Sequence, residues 1–123
     1  MTDDIFRPKS GKITDFDIRV YAIAMQIPSG KVTTYGHIAA ALGSRSASRM
    51  VGYALNSVKG RDEIPCHRVV NRNGELTGKM HFATPTAMRQ ALEAEGVEFI
   101  GEAVNMKKHL WLPAVSATDD ALF

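Results

Sequence analysis

The sequence predicts a mostly α-helical domain with one small β-hairpin. Two patterns support this fold class: apolar residues recur at helical spacing in four segments, and an Asn-Gly turn separates two short apolar runs. The chain has 123 residues, of which 45% are hydrophobic and 23% charged, which is typical of one globular domain. No apolar run approaches the roughly 18–20 residues that a membrane-spanning helix needs.

The first two predicted helices each begin at a threonine that can cap them. Thr14 precedes the first helix and has an acidic residue three positions later, as in a capping box, and Pro28-Ser29-Gly30 ends that helix. Thr34 precedes a compact second helix over Tyr35–Leu42, which Gly43 ends. We therefore expect two short helices joined by a short link.

A third helix is predicted to open at Ser46 or Ala47 and to run to about Val58. The second and third helices, joined by a Gly-containing turn, indicate a helix-turn-helix. The alternative is two core helices that happen to share a tight turn.

The C-terminal half is predicted to hold the hairpin and a last helix. The hairpin pairs Arg68–Asn71 with Glu75–Thr77 around Asn73-Gly74. The last helix is expected to begin at Thr84-Pro85, with proline at its first position, and to end at Gly96. Three other segments are assigned: an irregular loop at 79–83, a short strand at 97–100 and a packing segment at 110–113.

Charge and composition suggest where the folded domain lies and what it binds. Residues 1–12 are polar and carry no apolar stretch, so we expect a flexible arm rather than a secretory signal, then a domain over 13–113 and a flexible tail over 114–123. Residues 43–79 hold seven bases and three acids, whereas the whole chain is only +2. A basic middle suits a nucleic acid, although a solvated charged face is the simpler interpretation.

Cys66 and His67 are the residues that most suggest chemistry. Sulfur attacks as thiolate, so a nucleophilic cysteine needs a base or positive charge nearby, which His67 and Arg68 can supply. Cys66 is the only cysteine, which excludes an internal disulfide and a multi-cysteine zinc site and indicates a reducing cytoplasm. The alternative for Cys66 is a small buried hydrophobic residue.

Four spaced motifs resemble the O6-alkylguanine-DNA alkyltransferases, also called methylated-DNA–protein-cysteine methyltransferases. The sequence I-P-C-H-R-V-V at Ile64–Val70 is similar to the active-site motif of that family. Ile27–Ala39, Ser48–Gly52 and Glu95–Val97 resemble its I-P-x-G-x-V-x-T-Y-G-x-I-A, A-R-x-V-G and E-G-V segments, with Ser in place of the first Ala. The resemblance runs from about Phe16 to Val97 and implies a winged helix-turn-helix-like domain.

The resemblance also implies a role for each matching residue. Cys66 would accept the alkyl group, His67 would act as base through a water, and Glu95 would stand behind His67. Tyr35 would donate a proton to the extruded guanine, and Arg49 would fill the gap left in the base stack. The residues expected at the DNA backbone or beside it are Thr34, Ser46, Ser48 and Arg68.

The implied function is repair of double-stranded DNA that contains alkylated guanine. A methyl or other small alkyl group would pass from guanine O6 to Cys66 in one turnover, with no metal or organic cofactor. Each residue also has a simpler interpretation: Tyr35 as packing between two helices, Arg49 as a surface charge and Glu95 as an ordinary helix-end acid.

Three features differ from the family pattern. Gly78–Ala83 carries Met, His and Phe where the family commonly has a small-residue loop, so the pocket would be narrowed or built differently. The family's Asn before Pro is missing from the segment ahead of Ile64, and the nearest asparagine is Asn56, on the third helix. The chain also has the size of alkyltransferase-like proteins, which bind alkylated DNA without an acceptor cysteine and recruit nucleotide excision repair. That sensor function is the first alternative to transfer, and a regulatory winged-helix DNA binder is the second.

Overall fold

A computed structural model describes residues 13–58, 63–77, 84 and 86–114, and it confirms a mostly helical domain with small sheets. The predicted arm at 1–12, the loop at 79–83 and the tail from 115 onward lie outside the described residues. The elements in chain order are α1 (Asp15–Ala24), β1 (Thr33–Thr34), α2 (Tyr35–Ala41), α3 (Ser48–Asn56), β2 (Val69–Val70), α4 (Ala87–Ala94), β3 (Phe99–Ile100), β4 (Ala103–Val104) and α5 (Met106–His109).

Both predicted threonine caps are confirmed. The Thr14 hydroxyl accepts from the Asp17 amide at 3.1 Å, and the Asp17 carboxylate accepts from the Thr14 amide at 3.1 Å, so both halves of the capping box are present. The Thr34 hydroxyl accepts from the amide of His37 at 3.0 Å and caps α2. Tyr35 is therefore fixed as the first residue of α2.

The strand pairing differs from the predicted hairpin. The turn at 71–75 forms, and the Asn71 amide donates to Glu75 O at 3.1 Å, but β2 pairs in parallel with β1 and Glu75 bridges to Ala103 instead. Parallel strands cannot be joined by a tight turn, so the pairing connects segments far apart in sequence. Its register sets Thr34 opposite Val70, which places the start of α2 beside the segment that carries Cys66.

Two helix starts also differ from the predictions. The last predicted helix, α4, begins at Ala87 after an N-cap at Thr86, two residues later than a start at Pro85. One turn of 3₁₀ helix over Arg45–Ala47 precedes α3, so the regular helix begins at Ser48 rather than at Ser46 or Ala47 and ends at Asn56.

The core has two parts. The first lies between α1, α2 and α3 and includes Val20, Ile38 and Val51, each with no exposed surface. The second lies around α4 and includes Met88 and Leu92. The short helix α5, which the sequence did not predict, leads into the predicted packing segment at 110–113, where the Trp111 amide donates to Val32 O at 2.7 Å. In the described ranges no helix is long and apolar enough to cross a membrane.

Candidate functional site

Cys66 lies in one turn of 3₁₀ helix, Cys66–Arg68, just before β2. Its thiol is half-buried and donates to Leu55 O, near the C-terminal end of α3, at 3.7 Å. Burial raises the pKa of the Cys66 thiol to about 11, an effect that a backbone hydrogen bond only partly opposes. In the free protein the sulfur is therefore held as a neutral thiol at physiological pH.

Glu95, at the C-terminal end of α4, is held by three groups from two other segments. Its carboxylate accepts from His67 Nε2 at 2.7 Å, from Arg68 Nη2 at 2.8 Å and from the Gly30 amide at 3.2 Å. Burial alone would raise the pKa of this carboxyl, but the hydrogen bonds from Arg68, His67 and Gly30 outweigh burial and lower it to about 2. Glu95 is therefore ionised at neutral pH.

The Glu95 carboxylate also determines which ring nitrogen of His67 carries a proton. An ionised carboxylate only accepts, so Nε2 of His67 carries a proton, and in a neutral ring Nδ1 is the acceptor. Arg68 completes the arrangement, because its Nε donates to Glu95 at 3.0 Å and its Nη1 donates to Ile27 O at 2.8 Å. The guanidinium of Arg68 thus faces the protein, with its side chain 18% exposed.

Tyr35 lines a groove on α3 and packs against the same core cluster as Cys66. The pKa of its hydroxyl is raised by burial, with a hydrogen bond to Thr77 acting in the opposite direction and the nearby charge of Cys66 raising it further. The ring lies over Gly52, where an added Cβ would be 3.9 Å from two ring atoms. Tyr35 therefore contacts α3 and packs against the core cluster that Cys66 also borders.

The groove itself is an open cleft of about 360 Å³ along one face of α3. The sequence placed three of its lining residues, Tyr35, Ser48 and Arg49, in the site; Arg49 is exposed. Reasoning from sequence missed Tyr53 and Asn56, which also line the groove. Their spacing of four and seven residues from Arg49 puts all three on the same helix face, and this signal could have found them.

Thr34 and Ser46, which were also expected at the DNA backbone, do not line the groove. Thr34 is 3% exposed, and its hydroxyl is used in the α2 cap and in a 2.6 Å contact with His37 Nδ1. Ser46 is exposed on the 3₁₀ turn before α3 and forms a hydrogen bond with the Ser44 hydroxyl at 3.2 Å. Among the described residues, no group of three or more His, Cys, Asp or Glu side chains could hold a metal ion.

Comparison with known proteins gives the family. The family model of the 6-O-methylguanine DNA methyltransferase, DNA binding domain, matches residues 15–97. Alkyltransferase-like protein 1 of Schizosaccharomyces pombe is 35% identical over 107 residues, which cover 83% of this chain and 99% of the relative. The crystal structure of S. pombe Atl1 in complex with damaged DNA containing O6-carboxymethylguanine matches with a TM-score of 0.71 and 33% identity, over 83% of this chain and 99% of the other.

Two further relatives carry different names. The DNA base-flipping protein of Escherichia coli is 41% identical over 106 residues, 84% of this chain and 79% of the relative. The methylated-DNA–protein-cysteine methyltransferase of Methanosarcina acetivorans is 45% identical over 65 residues, which are 53% of this chain and 42% of that protein. On these matches, the chain belongs to the family of the 6-O-methylguanine DNA methyltransferase DNA-binding domain.

Proposed function

We propose that this protein recognises O6-alkylated guanine in double-stranded DNA by turning the nucleotide out of the helix. The position of Tyr35 carries the proposal, because this residue lines the groove that contains Arg49 and packs against the same core cluster as Cys66. A guanine O6 inside a duplex is out of reach of a protein side chain, so the nucleotide must leave the stack to be contacted.

The groove offers a way to offset the cost of unstacking. Arg49 stands exposed at the N-terminal end of α3, and in our proposal its guanidinium enters the stack in place of the extruded base. Ser46 and Ser48 precede Arg49 at the start of α3 and are proposed to contact phosphates. Thr34 is buried in the α2 cap, so we assign it the role of positioning Tyr35.

The order of the two functions inferred from the sequence is reversed here. The sequence placed alkyl transfer first and lesion sensing second. Alkyltransferase-like protein 1 and the E. coli DNA base-flipping protein match 83% and 84% of this chain, whereas two bifunctional methyltransferase/endonucleases match 73% and 72% and the M. acetivorans methyltransferase matches 53%. We therefore put recognition of the flipped lesion first, with hand-over to nucleotide excision repair proteins as the proposed next step.

Alkyl transfer to Cys66 is the second candidate function, and the free thiol next in sequence to the hydrogen-bonded pair His67–Glu95 favours it. In that reaction the sulfur forms a bond to the alkyl carbon while the carbon–O6 bond breaks. The thiol proton passes to Nδ1 of His67 through a water, and Tyr35 supplies a proton to the departing guanine. Because the pKa of Cys66 is about 11 in the free protein, ionisation would have to follow DNA binding.

The proposed function supports a cytoplasmic location for the protein. A thiol that accepts an alkyl group, as proposed for Cys66, must stay reduced, which the cytoplasm ensures, and DNA is the partner there. Residues 13–113 remain our proposed limits of the folded domain.

Three measurements test the two candidate functions. The dissociation constant is measured for matched duplexes with guanine or O6-methylguanine at one position, and 2-aminopurine beside the lesion reports unstacking by its fluorescence. Preferential binding with a fluorescence increase supports lesion recognition, whereas equal affinity for both duplexes contradicts it. The intact mass of the protein then distinguishes the two functions. A gain of one methylene, absent in Cys66→Ser, shows alkyl transfer, whereas an unchanged mass shows that the protein recognises the lesion without accepting the alkyl group.

A further inference from the structure

Asn56 presents an unused amide to the groove on α3. The side chain is half-buried and lines the groove, and it forms no hydrogen bond with any other residue in the described ranges. An amide has donors and an acceptor, and leaving them without partners on binding is costly. A ligand that fills this groove is therefore expected to bring polar atoms to Asn56.

The place of Asn56 on α3 suggests what those polar atoms are. Asn56 and Tyr53 follow Arg49 by seven and four residues on one helix face. At about 1.5 Å per residue, Asn56 lies about 10 Å from Arg49 along the helix axis. Base pairs rise by about 3.4 Å, so this distance corresponds to about three base-pair steps. If α3 enters the minor groove, as the family resemblance implies, and Arg49 is in the stack at the lesion, Asn56 lies over a base pair about three steps away.

We infer that Asn56 reads the minor-groove edge of a base pair about three steps from the lesion and selects guanine there. The inference rests on the proposed function and adds a sequence preference to it. In the minor groove only a G·C pair presents an amino donor, N2–H₂, next to a ring acceptor. A single amide can accept from that amino group and donate to the acceptor, whereas an A·T pair offers acceptors alone. The Tyr53 ring, one turn earlier, forms the adjacent wall of the groove.

Inosine scanning isolates this contact. Inosine pairs with cytosine and differs from guanosine only by lacking the minor-groove amino group, so the rest of the pair is unchanged. Guanines at one to four positions on either side of an O6-methylguanine are replaced singly, and the dissociation constant is measured for wild type and Asn56→Ala. Asn73→Ala is the matched control, because Asn73 is exposed on the turn before Gly74 and, within the described ranges, only its backbone amide forms a hydrogen bond.

We expect one position at which inosine weakens wild-type and Asn73→Ala binding about five- to tenfold, while Asn56→Ala binds both duplexes equally. Two results overturn the inference but leave the proposed function standing. The first is a preference for the lesion with no inosine effect at any position, and the second is an inosine effect that persists in Asn56→Ala. Equal binding of wild type to damaged and undamaged duplexes overturns both. The thermal unfolding midpoint of Asn56→Ala should match wild type, since no described side chain depends on its amide.

Discussion

The Glu95 carboxylate lies 2.7 Å from Nε2 of His67, a residue 28 positions earlier in the chain. The bond joins the end of α4 to the turn that carries Cys66. The same carboxylate accepts from Arg68, so one acid both orients the histidine and pairs with a largely buried cation. Glu95 therefore has a structural role that is independent of any reaction, and this role can be measured in the free protein.

Glu95→Gln should destabilise the fold by about 1–3 kcal/mol at pH 7, because it removes the charge that compensates Arg68. Urea unfolding of the two proteins gives the difference. The matched control is Glu93→Gln, since Glu93 forms an exposed pair with Arg89 and should cost no more than about 0.5 kcal/mol. A Glu95→Gln effect no larger than that of the control contradicts the assignment.

The stabilisation by Glu95 should also depend on pH. Its pKa is about 2 in the folded protein and about 4.3 in an unfolded chain, so the folded form binds the proton less readily. The stabilisation is therefore fully present above about pH 4.5 and is lost as the pH falls toward 2. The difference in unfolding free energy between wild type and Glu95→Gln should be constant from pH 7 to 5 and shrink below that range. If the difference in unfolding free energy grows on acidification, folding raises the pKa of Glu95 instead of lowering it.

Cys66 should react slowly with iodoacetamide in the absence of DNA. With a pKa of about 11, the ionised fraction of the thiol rises about tenfold per pH unit from pH 7 to pH 9. The alkylation rate, followed by intact mass, should rise in parallel and be at least about tenfold below that of the same protein unfolded in guanidinium at pH 7. Because Cys66 is the only cysteine, no other thiol contributes to the mass change. A rate that levels off near pH 8 would show an activated thiol instead.

Local signals in the sequence predicted the helix caps well, because a cap depends on residues within one turn. Thr14 and Thr34 begin their helices as expected, and Gly43 and Gly96 follow α2 and α4 with positive φ angles. The parallel pairing of β1 with β2 was not predictable, since a two-residue strand has too few positions to show alternation and its partner is 36 residues away.

The site shows the same division between local and distant contacts. The family resemblance, rather than any pattern in the residues themselves, linked Glu95 to His67. Arg68 is oriented toward Glu95 and Ile27 O because α4 packs on the turn at 66–68. This packing could not be inferred from the sequence, from which Arg68 was expected at the DNA. The spacing of seven residues from Arg49 places Asn56 on the same helix face, but which face of α3 the rest of the fold leaves uncovered is not a local property of the sequence.

Arg49→Ala should weaken binding to O6-methylguanine duplex by about tenfold or more while leaving the fold intact. The side chain is exposed and is proposed to fill the gap in the base stack, so its loss leaves the cost of unstacking uncompensated. Arg19→Ala is the matched control, because Arg19 is an exposed arginine on α1 and does not line the groove. Fluorescence anisotropy gives the affinities. Equal losses in the two variants would indicate a general charge effect and no specific role for Arg49.

Gly74→Ala should destabilise the protein by about 2–4 kcal/mol, for two separable reasons. Gly74 has a φ of +83°, which costs a residue with a side chain about 1–2 kcal/mol, and an added Cβ would lie 2.8 Å from Val104 O. Gly43→Ala isolates the first reason, because Gly43 has a φ of +91° and an added Cβ there meets nothing within 4 Å. Urea unfolding should therefore give about 1 kcal/mol for Gly43→Ala and a clearly larger loss for Gly74→Ala. If the two losses are equal, the turn at 71–75 does not lie against β4 closely enough for the added methyl group to meet Val104 O.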